Sequence, residues 1–234
     1  MKVRLAFLRD DDLAAPDPRF RRVFELCVGL RLPVSYAVVP GRLRPQLPRW
    51  LRARRAPRAL YDLVQHGWTH SVRSRRGEPR GEFPPSRPYA LQRADMERGR
   101  AAMRRAFGPL FTPAFVPPYH RFGADTLRAA AELGLRGFSA GAPRLPVLPR
   151  SLRWLPAQVG VNRYDDRYRV LPLDLDALTA ATARSLRSAP VTGIYFHHAA
   201  LGRGDWEAFV RYCGFLRRLA DTGGVRFVRM RDLL

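Results

Sequence analysis

The chain holds five histidines, His66, His70, His120, His197 and His198, and one run of three adjacent carboxylates, Asp10, Asp11 and Asp12. Three like charges side by side repel one another unless a cation or a proton compensates them. The run is an exception in a chain with 42 basic and 20 acidic residues. Taken alone, it also reads as a turn whose acids cap a helix before Pro16 and Pro18. His66-Gly-Trp-Thr-His70 sets two imidazoles four residues apart. On a helical turn that spacing puts both on one face and suits a divalent metal. Gly67 stands where a zincin has glutamate, so this is not the His-Glu-x-x-His motif. Two histidines and one aspartate leave positions free for water and substrate, as a catalytic metal requires.

Two further segments carry chemistry. In Phe115-Val116-Pro117-Pro118-Tyr119-His120-Arg121 the prolines fix the backbone and can present the next amide to an oxyanion. Tyr195-Phe196-His197-His198 ends an apolar run. Two consecutive histidines point to opposite faces if the strand continues, so one of the pair faces any site built there.

All of these groups stand just past short apolar runs that read as strands. Val3–Leu8 precedes the aspartates, Pro33–Val39 is a second run, and Ala59–Gln65 precedes His66. Ala114–Val116, Arg136–Ser139, Gly193–Phe196 and Val225–Val228 complete the series, with short strands expected around Trp154 and Val170. Helical stripes alternate with them: Phe20, Val23, Phe24, Cys27 and Val28; a basic segment, Pro48–Arg55; and Tyr89, Met96, Met103 and Phe107, with Ser86 as the expected cap. Asp125–Leu133 follows, stopped by Gly134, then stripes through Leu175–Leu186 and Trp206–Leu216. Residues 71–88 show no period and read as a long loop, of the kind that is usually functional or mobile. Alternating β and α units in 234 residues predict one domain, 1–234, with a parallel sheet whose carboxyl ends carry the function.

Composition narrows the function classes. At 46% hydrophobic residues the chain builds a core, and no run approaches the roughly 20 apolar residues of a membrane span. Cys27 and Cys213 read as buried thiols. The N-terminal apolar run is too short for a secretion signal, which predicts a cytoplasmic protein. The net charge of +22 suggests a nucleic-acid or polyanion binder. Yet Lys2 is the only lysine, so compositional bias toward arginine explains the charge more simply. No nucleic-acid-binding signature is present, and no specific nucleic acid is expected as a partner.

Four segments, LRDDD at 8–12, HGWTH at 66–70, FVPPYH at 115–120 and YFHH at 195–198, occur in the order of a known motif set. With them the chain resembles the polysaccharide deacetylases of the NodB-homology type, carbohydrate esterase family four, and a divergent bacterial branch in particular. The resemblance implies a distorted (β/α)7-type barrel, a divalent metal (usually Zn2+), and hydrolysis of an N-acetyl group from an amino sugar or polysaccharide. It implies Asp11 as general base and Asp12 as metal ligand, since relatives often read Arg-x-Asp-Asp and Arg9 fits. Asp10 and Asp11 form the other register. His66 and His70 complete the metal site. His197 or His198 is the acid for the leaving amine, and the Tyr119 amide helps hold the oxyanion. Pro118, His120, Arg121 and Trp68 are the expected substrate neighbours. The motifs usually carry glycine where Leu13 and His120 stand, and a base-orienting arginine where Val116 stands. Arg9 and Arg121 are the candidates to replace that arginine. The second reading is a barrel of this ancestry with altered chemistry that binds carbohydrate or metal.

Overall fold

A run of aliphatic and aromatic residues, Leu5 to Leu8, opens β1 (Arg4–Leu13), the strand on which the sheet is centred. A computed structural model describes residues 3–54, 56–141 and 147–234. β1 is longer than the sequence predicts: the three aspartates belong to its carboxyl end rather than following it. The remaining strands are β2 (Val34–Val38), β3 (Tyr61–His66), β4 (Phe111–Val116), β5 (Gly137–Phe138), β6 (Arg153–Trp154), β7 (Val159–Gly160), β8 (Arg163–Tyr164), β9 (Val170–Leu171), β10 (Val191–Phe196) and β11 (Val225–Phe227). Eight of them run in the parallel order β6-β5-β4-β3-β2-β1-β10-β7, and β11 pairs with the start of β1. The curled sheet and its surrounding helices make a distorted (β/α) barrel. β8 and β9 form a separate antiparallel hairpin.

Strand alternation divides the interior into two layers. From β1, Ala6 and Leu8 face the helices, while Phe7 faces the barrel interior. The outer layer is completed by Phe20 and Phe24 of α1 (Pro18–Gly29), Leu47 and Leu51 of α2 (Gln46–Ala53), and Met96 and Met103 of α3 (Tyr89–Phe107). Leu127 of α4 (Ala124–Glu132), Leu178 of α5 (Leu175–Ser188) and Phe209 of α6 (Trp206–Asp221) extend it. Each such side chain contributes about 1.5–3 kcal/mol on burial. The inner layer joins Phe7, Ala37, Val64, Ala114 and Val116 to Met230 and Leu233 of the C-terminal turn, which fills the amino end of the barrel. Function is left to the other end.

The expected helical stripes are helices with their apolar faces inward, and both cysteines are buried and free. The basic segment forms α2, two residues earlier than its predicted start; Arg55 lies outside the described residues. Segment 71–88 is a loop, pinned by fully buried Glu82 and Phe83. Ser86 does not cap α3: Pro88 occupies that position, and the Ser86 hydroxyl donates to Glu78 instead. Among the described residues, no helix is long and apolar enough to cross a membrane.

Candidate active site

A local break in β1 decides which aspartates face inward. Arg9 and Asp11 follow Phe7 on the inner face, and Asp10 follows Leu8 toward the helices. The register with β2 then shifts between Asp10 and Leu13, and Asp12 adopts a left-handed backbone (φ +67°). Such a bulge turns an extra residue inward. Asp11 and Asp12 therefore line the same cavity, while Leu13 returns to the outer core.

His66 is the last residue of β3, on the inner face with Val64. The chain then folds back through Gly67 (φ +56°) to His70 (φ +57°), so the two imidazoles meet through a tight loop turn and not on a helical turn. Their ring centres are 5.1 Å apart. Asp12 Oδ1 lies 3.1 Å from His66 Nε2 and 3.0 Å from His70 Nε2. These three side chains offer ligand atoms all within 4.8 Å of one another.

The donor set fits a divalent cation. His66 Nδ1 stands 3.0 Å from the Val116 carbonyl, which places its N–H there and leaves Nε2 with a bare lone pair toward Asp12. Two acceptors at that separation need a proton or a metal between them. Tetrahedral ligand atoms about 2 Å from a zinc ion stand roughly 3.3 Å apart, close to this spacing. Burial opposes ionisation of Asp12, but hydrogen bonds and charge from His66 and His70 outweigh it and hold the carboxyl far below its usual range. Burial likewise pushes the His66 pKa down, and the hydrogen bond to Asp12 with the charges of both aspartates raises it on balance.

Asp11 has a different partner. Arg9 Nε and Nη2 donate to its two oxygens at 2.7 and 2.8 Å, and Arg9 Nη1 donates to Ser139 Oγ at 2.6 Å. Burial disfavours the Asp11 carboxylate; the Arg9 charge, aided by His66 and His197, reverses this and keeps its pKa low. Arg9 thus stands as the cation beside Asp11, Val116 lies in the inner core, and Arg121 stays at the exposed rim.

The two late histidines part company. His197 shares the inner face with Tyr195, lines the cavity, and brings Nε2 to 3.9 Å from Asp12 Oδ2. Its backbone N–H donates to Asn162 Oδ1 at 2.7 Å. His198 points to the helix side. Its Nδ1 is 3.0 Å from both Asp10 oxygens and its Nε2 is 3.3 Å from Asp17. Burial opposes its charge, but the two carboxylates push its pKa up to about 10.

The cavity measures about 500 Å³ and opens at the carboxyl ends of the strands. Tyr119, His120 and Arg121 line it from the loop after β4. Tyr119 and His120 both have left-handed backbones (φ +60° and +55°). That turn is closed by the N–H groups of His120 and Arg121, donating to Pro117 and Pro118; the Tyr119 N–H takes no part in it. His120 Nδ1 accepts from Gly141 N–H at 2.5 Å. Burial, then Arg9, pushes its pKa down to about 3. Two expected substrate neighbours stand off the cavity: Pro118 is buried against Gly67, and Trp68 packs by Gly41 under Arg98.

Sequence reading missed several lining residues. Tyr195 was legible, because β10 alternation pairs it with His197. Arg80 of loop 71–88, and Tyr164 and Tyr168 of the β8–β9 hairpin, carry no periodic signal; Arg80 lies over the Tyr119 and Tyr168 rings. Glu82 was missed too. It accepts from Trp68 N–H (3.1 Å) and Thr69 N–H (2.7 Å) in the turn between the two histidines.

No family profile and no curated protein matches the sequence. Solved structures do match. A family 4 acetyl xylan esterase from Clostridium thermocellum, in complex with a cobalt ion, aligns with TM-score 0.65 and 16% identity over 98% of this chain and 90% of its own. A Mycobacterium smegmatis protein provisionally described as a polysaccharide deacetylase aligns with TM-score 0.72 and 16% identity, over 98% and 88%. A carbohydrate esterase family four pseudoenzyme from Bacillus anthracis aligns with TM-score 0.62 and 11% identity, covering 99% of this chain and 65% of that one. The chain therefore has the fold of the family-four polysaccharide deacetylases and esterases, the fold that the motif resemblance implies.

Proposed function

We propose that the chain is a metal-dependent hydrolase that removes an N-acetyl group from an amino sugar or a polysaccharide. The observation that carries this reading is the convergence, in one cavity, of the Asp12, His66 and His70 cluster with an Arg9-paired Asp11 and with His197. The matched structures lend support through what they are described as, acetyl xylan esterase and peptidoglycan N-acetylglucosamine deacetylase among them.

In this reading Asp12, His66 and His70 hold the divalent ion, with zinc the first choice for one carboxylate and two imidazoles. Bound there, the ion supplies Lewis acidity toward the acyl carbonyl and the attacking water. Asp11 takes the water's proton, and Arg9 keeps it ionised and aligned for that task. The Tyr119 N–H meets the developing oxyanion. His197 returns a proton to the departing amine nitrogen. His198, held between Asp10 and Asp17, is assigned no part in the chemistry. The aromatic and arginine rim made by Arg80, Arg121, Tyr164 and Tyr168 takes the rest of the sugar.

The test is turnover of acetylated glucosamine oligomers and acetylated xylan by zinc- or cobalt-loaded protein, read as acetate release. Release from the amide substrates supports the reading, and release from the ester alone moves the assignment to an O-acetyl esterase. The matched pseudoenzyme has a variant described with restored activity, so loss of chemistry on this fold is a real alternative. The intact Arg9–Asp11 pair argues against it here.

A further inference from the structure

The turn that joins His66 to His70 is held from several sides. Gly67 N–H donates to Val116 O at 3.1 Å, Gln65 Nε2 donates to Gly67 O at 3.1 Å, and Gly41 N–H donates to Trp68 O at 2.7 Å. The amides at its tip converge on one carboxylate. Glu82 Oε2 accepts from Trp68 N–H at 3.1 Å, and Oε1 accepts from Thr69 N–H at 2.7 Å and from Thr69 Oγ1 at 3.1 Å.

Glu82 is fully buried, and among the described residues no arginine or histidine comes within ion-pair distance of it. A buried carboxylate is costly unless hydrogen bonds replace its water. Here all of that compensation comes from the turn between the two histidines. The fit is close: a Cβ at Gly67 would sit 2.1 Å from Glu82 Oε2. Loop 71–88, otherwise without regular structure, is thereby tied to the histidine pair.

We propose that Glu82 is a positioning residue for the metal site: its carboxylate holds the left-handed turn that aims His70 at Asp12 beside His66. The inference rests on the metal-site reading above. Removing Glu82 frees two amides and a hydroxyl, lets the turn relax, and misaligns His70, while the His66 end stays anchored on Val116.

The experiment compares zinc affinity, by chelator competition, and the visible absorption of the cobalt(II)-substituted protein in wild type, Glu82→Ala and Glu82→Gln. Lost outer contacts of this kind cost about 10–100-fold in metal affinity. Glu82→Ala should show a loss of that size, a weakened cobalt spectrum and a smaller zinc-induced rise in Tm. Glu82→Gln keeps one acceptor and should recover part of all three. It also serves if Glu82→Ala does not fold. Wild-type affinity and an unchanged cobalt spectrum in a folded Glu82→Gln or Glu82→Ala protein would overturn the proposal and leave the metal site standing. A wild type that takes up neither metal would overturn the site reading and this inference with it.

Discussion

Arg9 grips Asp11 through two parallel hydrogen bonds of 2.7 and 2.8 Å, and neither side chain is more than 1% exposed. The two residues are neighbours on the inner face of one strand, two positions apart, so the strand's own alternation builds the pair. The motif set places its base-orienting arginine at the end of β4, where this chain has Val116. Here Val116 packs into the inner core, and the cation beside Asp11 is Arg9 of β1 itself.

Breaking that pair should be expensive. Arg9→Met leaves a buried carboxylate without its cation, a change that costs about 3–5 kcal/mol in comparable settings. Urea unfolding should show this loss. Arg9→Lys keeps a charge but loses the forked contact and the bond to Ser139. Asp11 then becomes harder to ionise, so the acidic limb of the kcat/KM profile should move to higher pH.

Asp11→Asn separates base from ligand. It should retain the metal and lose turnover by about 10²–10⁴-fold, the usual worth of a general base. A variant that keeps its metal and stays active would move the base elsewhere.

The two late histidines should respond in opposite ways. His197→Asn should cut turnover with little effect on stability. His198→Asn should leave the cavity chemistry alone and change how stability depends on pH. The His198 pKa rises from 6.5 to about 10 in the folded chain. A raised pKa contributes stability that is complete below pH 6.5 and is lost as pH rises toward 10. The wild type should therefore lose Tm over that window, and His198→Asn should lose less.

His120 should stay a neutral imidazole, since its pKa falls from 6.5 to about 3. The unfolded chain binds this proton first as pH drops, so the group lowers stability between pH 6.5 and 3. Its ring resonances should not shift in an NMR titration from pH 8 to 5. Titration near 6.5 would contradict the half-buried, Arg9-facing placement.

Much of this site was legible in the sequence because residue type carries it. Adjacent carboxylates, paired histidines and strand-terminal position are all visible in LRDDD, HGWTH and YFHH. What stayed hidden depends on backbone detail. That Asp11 and Asp12 line the cavity while Asp10 does not follows from the bulge and the left-handed Asp12, which no pattern of side chains encodes. The helical turn read into HGWTH was overridden by Gly67 and His70 in left-handed conformations. Ser86 does not cap because Pro88 stands at the cap position and the Ser86 hydroxyl donates to Glu78. Glu82 was hidden in an aperiodic loop crowded with arginines, where one more acid reads as a surface charge. The expected strands fall within a few residues of the observed ones, except that β1 runs on through the aspartates; β7 and β8, in the Pro-rich stretch, carry no pattern that announces them.

The most direct test of the account is metal content, measured by elemental analysis on purified wild type beside the His66→Ala/His70→Ala double variant, each after zinc reconstitution and desalting. The account predicts about one zinc ion per wild-type chain and none in the double variant. Equal zinc in both proteins, or none in the wild type, would contradict it.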